Sequence, residues 1–143
     1  MTDLTNPIVW VHEEALGPAN PALEDHPNAP ALFVFDEQWI REQRISRKRL
    51  GFLYECCLEL PVTIRKGNVV SEVINFARRH GADGIVSSGA VDPRLQRVAA
   101  EIDRELPLWI LDGEPFVDLP KPPRLGRFSR YWRDAEPVVW TRY

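Results

Sequence analysis

Long apolar runs are missing from this 143-residue chain. No stretch approaches the roughly 20 residues that a membrane-spanning helix needs, so no span is expected. The opening residues MTDLTNP lack a basic segment and a long apolar core, so they do not read as a signal peptide, and a cytoplasmic location is expected. Cysteine is scarce: Cys56 and Cys57 are the only two, and they are adjacent. Neighbouring helical side chains point about 100° apart, which argues against a bond between them. The three histidines, His12, His26 and His80, are scattered, so no metal site is expected. Glycine is also sparse, at 8 residues, and none falls into GxxxxGK[ST], GxGxxG or GxSxG. That removes the usual phosphate loops and the serine-hydrolase elbow. A formal net charge of -3 gives the chain no overall attraction to nucleic acid.

What is present is the composition of an ordinary globular protein, 44% hydrophobic and 27% charged, with enough chain for one sizeable core. Short apolar runs alternate with amphipathic stretches. The strands expected are 6–12 (NPIVWVH), 31–35 (ALFVF), 62–65 (VTIR), 84–88 (GIVSS) and 108–111 (LWIL). Residues 20–30 read as a proline-rich loop with at most one helical turn, and 38–48 as a charged connection. One helix is expected from the Leu50, Leu53, Tyr54, Cys57, Leu58 stripe, capped by Ser46 and stopped by Pro61. A second is capped by Asn68, carries Val69, Val70, Val73, Ile74 and Ala77, and stops at Gly81. His80 falls in its last turn, where the helix dipole favours a cation. A third opens at Asp92-Pro93 and carries Leu95, Val98, Ala99, Ile102 and Leu106. Strands and helices in alternation imply right-handed crossovers: an α/β, three-layer, Rossmann-like open sheet of about five parallel strands with helices on both faces.

The chain divides by composition at residue 118. Residues 1–118 form the α/β domain; 119–143 form a Pro-rich extension with a basic, aromatic tail. The prolines of 119–123 do not suit a sheet core. In RLGRFSRYWR, residues 124–133, arginine recurs every third position with Phe128, Tyr131 and Trp132 between. As a short helix this segment would be basic on one side and aromatic on another. Such patches suit protein interfaces more than nucleic acid on an acidic chain. Arg127, Phe128, Arg130, Tyr131 and Trp132 are therefore the expected partner-binding residues.

The order of these motifs resembles the amino-terminal α/β domain of the photolyase/cryptochrome family, over nearly the whole chain. WVHEEALGPANPAL aligns without a gap on that family's W-F-R-x-D-L-R-L-x-D-N-x-A-L, matching at Trp10, Asn20, Ala22 and Leu23. FVFDEQW resembles the second strand with its following Asp, here Asp36. RKRLGFLYECCLEL resembles the R-x-x-F-L helix through Arg49, Phe52, Leu53 and Leu58. TIRKGN resembles the third strand and its turn, and RFSRYWR the segment leading into the helical half. The resemblance implies strand order 3-2-1-4-5. It also implies an antenna chromophore, a flavin, deazaflavin or folate, and contact with a helical FAD-binding half. That half is absent from this sequence, so no FAD site and no light-driven catalysis are expected in this chain. A separately encoded helical FAD-binding protein is the implied partner; self-association into a homo-oligomer through the tail is the alternative that the residues themselves offer. The family's arginine positions carry His12 and Leu16 here, and its first aspartate position Glu14, so groups that could oppose an anion are lost.

In an open α/β sheet, ligands sit beyond the carboxyl ends of strands. His12, Glu13 and Glu14 after the first strand, Asn20 in the same loop, Asp36 and Glu37 after the second, and Ser87, Ser88 and Gly89 after the fourth are the candidate cofactor-binding residues. The alternatives for them are a solvated loop and a tight turn capped by Asp92. SSGAVD resembles the Ser-Gly-Gly-x-Asp pyrophosphate loop of some ATP-using enzymes, but follows the fourth strand instead of the first. No assembled catalytic constellation is visible. Three functions follow: a non-catalytic α/β domain for a small nucleotide-like or chromophore ligand or a helical partner; a self-association module without ligand; and a nucleotide-processing enzyme.

Overall fold

The computed structural model describes residues 5–111 and the backbone of 125–127. Six strands form one sheet: β1 (Pro7–Val11), β2 (Ala31–Asp36), β3 (Thr63–Gly67), β4 (Gly84–Ser88), β5 (Leu108–Leu111) and β6 (Leu125–Arg127). Their order is β3-β2-β1-β4-β5-β6. The first five run parallel, and β6 runs antiparallel to β5. The chain is thus an α/β protein with a Rossmann-like parallel sheet in the order 3-2-1-4-5. β6 adds to it: Leu125–Arg127 form an edge strand and do not begin a helix. Phe128, Arg130, Tyr131 and Trp132 lie outside the described residues, as do 119–123.

Alternation along the strands divides the core in two. Ile8, Trp10, Leu32, Val34, Ile85, Leu108 and Ile110 point to one face. There they meet α4 (Val69–Arg79) and α5 (Pro93–Glu105). Val9, Val11, Phe33 and Val86 point to the other, under Ala22 and Leu23 of α1 (Pro21–Asp25) and Cys57 of α3 (Arg47–Leu58). Every residue of β4 is buried, as a central parallel strand requires.

The helix boundaries follow their caps. Ser46, Asn68 and Asp92 each accept a backbone N–H of the first turn, and Gly81 closes α4 with φ +60°. Two expectations change. The charged connection contains α2 (Glu37–Glu42), because the Asp36 carboxylate accepts the Trp39 N–H at 3.2 Å and caps it. The α3 stripe is buried only at Leu53 and Cys57; Tyr54 and Leu58 are exposed. No helix among the described residues is long and apolar enough to cross a membrane.

Candidate functional site

In this strand order the chain reverses direction across the sheet between β1 and β4, so the crevice beyond their carboxyl ends is where a ligand is expected. Here the protein's own side chains bridge it. His12 follows β1 and is 1% exposed. Its Nδ1 accepts the Glu14 N–H at 3.3 Å, so the ring proton resides on Nε2. Nε2–H donates to the Ser88 carbonyl at 3.0 Å. The Ser88 hydroxyl is 3.2 Å from the same nitrogen but meets a protonated atom, so His12 is no base for it. Burial lowers the pKa of His12, against a raising influence of the Ser88 carbonyl and Glu14.

Glu14 closes the crevice further along. Its two carboxylate oxygens accept the N–H groups of Val91 and Asp92 at 2.9 and 2.7 Å, at the start of α5. The carboxylate thus occupies the position where a helix amino terminus receives an anion. Glu13 and Asp36 hold Arg94 from two sides. Arg94 Nη1 lies 3.0 Å from Asp36 Oδ2, and its Nη2 contacts Glu13 Oε1. The guanidinium carbon lies 4.3 Å from the centre of the Trp39 ring. Burial pulls the Arg94 pKa down to about 10, so the group stays charged at neutral pH.

The structure therefore brings together His12, Glu13, Glu14, Asp36 and Ser88. Asn20 serves α1: its side-chain oxygen accepts from Ala22 and Leu23, and its amide donates to Ala15 O at 2.8 Å. The Ser87 hydroxyl donates to Trp10 O at 2.6 Å, inside the sheet. Glu37 lies near Arg41 and Lys66, away from the crevice, and Gly89 is exposed. Sequence reasoning missed Arg94 and Trp39. A cation in the first turn of a helix opposes the dipole, and in DPRL that was the available signal. Trp39 was hidden inside the supposed connection.

Open space lies at this edge among the described residues. A cleft of about 360 Å³ lies between α2, α4 and α5, lined by Asp36, Trp39, Asn68, Val69, Arg94, Arg97 and Val98 among others. Its size is within the range of small-molecule sites, about 300–1,000 Å³. No group of three or more His, Cys, Asp or Glu side chains among the described residues is placed to hold a metal. Cys57 is buried and its thiol is pushed up to about 11, mainly by that burial, so it stays protonated and inert.

No protein-family model matches the sequence, and no curated protein matches it. Among solved structures, the chain is similar to the hypothetical protein MJ0577, a structure presented as a structure-based assignment of biochemical function. That similarity has a TM-score of 0.46 and 13% identity, over 76% of this chain and 97% of the other.

Proposed function

We propose that this chain is a photolyase/cryptochrome-like α/β module, without catalysis of its own, that holds a flat heteroaromatic ligand. A flavin, deazaflavin or folate is the class in view. The observation that carries the reading is the cleft at the carboxyl edge of the sheet, whose wall includes the Arg94 guanidinium stacked on the Trp39 indole. Planar rings stack on both kinds of surface. The crevice beside it is bridged by Glu14, His12 and Arg94, so the ligand sits one step outward, towards β2 and α2. The lack of catalysis is supported by His12, whose two ring nitrogens are already committed.

The test is an absorption spectrum from about 300 to 500 nm of protein purified from its native host, with mass spectrometry of the denatured extract. The expected result is a stoichiometric chromophore that Trp39→Ala removes and Glu14→Gln retains. A colourless protein with no extractable ligand overturns the reading. Loss in Glu14→Gln with retention in Trp39→Ala would move the ligand back to the crevice.

A second reading, docking of a separately encoded helical FAD-binding protein, draws on β6. That strand carries the backbone of Arg127, which opens RFSRYWR, along the edge of the sheet beyond β5. Stoichiometric coelution of an FAD-containing protein in the same purification, abolished by Trp132→Ala, would support it. An FAD-free chain eluting alone would count against it.

A further inference from the structure

We propose that the ligand of the Trp39 cleft has two parts, a flat ring and an uncharged arm bearing hydroxyls, and carries neither phosphate nor carboxylate. The inference rests on the reading above, that a flat heteroaromatic ring enters this cleft. It narrows that ligand to an unphosphorylated flavin-type compound with a polyol arm, and it sets aside folates, whose glutamate ends in carboxylates. The shape of the site comes first. A second space of about 270 Å³ is lined by Trp39, Gln43, Asp92, Pro93, Arg94 and Arg97. Four of these, Trp39, Gln43, Arg94 and Arg97, also line the first space, so the two adjoin along them. Their chemistry differs. The first space has the aliphatic side chains of Val69, Val70 and Val98, which suit a ring. The second has the Asp92 carboxylate and the Gln43 carboxamide instead. These suit a chain of hydroxyls, which donate to the carboxylate and exchange hydrogen bonds with the amide.

Charge decides what the arm is. A phosphate needs donors, and the second space lies at the amino end of α5, where they would be expected. They are already used. The N–H groups of Val91 and Asp92 donate to Glu14, and that of Arg94 donates to Asp92 Oδ1 at 2.8 Å. Pro93 has none. The Arg94 guanidinium is held between Glu13 and Asp36, and Arg97 Nε donates to Pro93 O at 3.3 Å. In the first space, the amino end of α4 has its own Asn68 cap and Glu72 in its first turn. Across both spaces the carboxylates of Asp36, Glu42, Asp92 and Glu101 stand against the guanidinium groups of Arg94 and Arg97. A phosphate would add to the sign already in excess. A hydroxyl adds no charge, and the Asp92 carboxylate keeps acceptor capacity beyond its bond to Arg94 N–H.

Fluorescence titration of the ligand-free full chain tests this with three probes: lumiflavin (the ring alone), riboflavin (ring and polyol arm) and flavin mononucleotide (ring, arm and phosphate). Riboflavin is expected to bind about tenfold more tightly than lumiflavin, through the hydroxyls of the arm. At about 20 mM salt it should also bind about tenfold more tightly than flavin mononucleotide, and the gap should shrink at about 500 mM salt. Asp92→Asn keeps a side chain that caps helices equally well, so α5 is retained. This variant should narrow the gap between riboflavin and flavin mononucleotide to about threefold at low salt and leave lumiflavin unchanged. Flavin mononucleotide binding at least as tightly as riboflavin overturns the inference and leaves the ring reading standing. So does riboflavin binding no more tightly than lumiflavin, or an Asp92→Asn variant that shifts lumiflavin as much as the phosphorylated probe. Failure of all three probes to bind overturns the ring reading itself, and this inference with it.

Discussion

His12 carries its proton on Nε2 and has no place for a second one. A proton on Nδ1 would face the Glu14 N–H that this nitrogen now accepts. Burial adds to the cost, and the folded-state pKa lies below the ordinary value of 6.5. The consequence has a definite sign. Below about pH 6.5 the unfolded chain binds a proton that the folded chain refuses, so stability falls as pH falls, until the folded pKa is reached. Thermal melts from pH 8 to pH 5 should show a loss of up to about 1.4 kcal/mol per pH unit in that window. His12→Asn should flatten it. Arg94 is a second position where one side chain decides much. Arg94→Met leaves Glu13 and Asp36 without their cation and uncovers Trp39; their side chains are 15% and 16% exposed. A cost of about 2–3 kcal/mol is expected in urea titration, with Arg94→Lys recovering part of it. Neither role is written in local sequence. A histidine after a strand reads as a rim residue, and only the fold shows it capped by β4; Arg94 needed Asp36, 58 positions away, to explain it.

At the scale of elements, legibility tracked how far a helix is determined by its own residues. α4 and α5 have caps, a clean apolar stripe and stops, and their burial follows the stripe at Val73, Ile74, Ala77, Leu95, Ala99 and Ile102. α3 has five apolar positions within reach of one stripe, and the sheet covers only two of them, because α3 packs beside α1 on the thinner side of the core. α2 is six residues long and owes its existence to one carboxylate, which composition could not distinguish from a charged loop. Two predictions belong here. Glu14→Ala removes the acceptor of two consecutive N–H groups, so it should cost about 1 kcal/mol and reduce hydrogen-exchange protection at Val91 and Asp92. Gly51→Ala should stabilise the chain by up to about 1 kcal/mol in thermal melts, since helix propensity is the only term that changes.

At the scale of the molecule, the sheet has one thick and one thin cover. Ile85 is fully buried on the side packed by α4 and α5. Ile85→Ala should therefore cost about 3–4 kcal/mol in urea titration, whereas Phe52→Ala, outside both cores, should stay within about 0.5 kcal/mol. The alternation of strands and helices was enough to expect a parallel sheet, because each crossover is a local event. The order of strands was not contained in periodicity, since pairing joins segments far apart; it came from resemblance of motif order. β6 was missed for the same reason. Three residues carry no period, and only the free edge of β5 makes them a strand.

The central strand has a consequence for how the chain folds. β1 pairs with β2 on one side and with β4 on the other, where Pro7 lies opposite Gly84, 77 positions later (84 minus 7). Its amino end is held to the β4 side by the Asp83 carboxylate, which accepts from Thr5 N at 2.8 Å and Asn6 N at 3.1 Å. Within the sheet, the pairs β2–β3 and β4–β5 are joined only through β1. A ribosome delivers this strand long before its second neighbour exists. Throughout that interval Ile8, Val9, Trp10 and Val11 have at most one edge to lean on, and long-range parallel pairing is slow to close. Until β4 emerges, one edge of the sheet's middle strand stays open, and a pairing that spans 77 positions must close before the two halves of the sheet join.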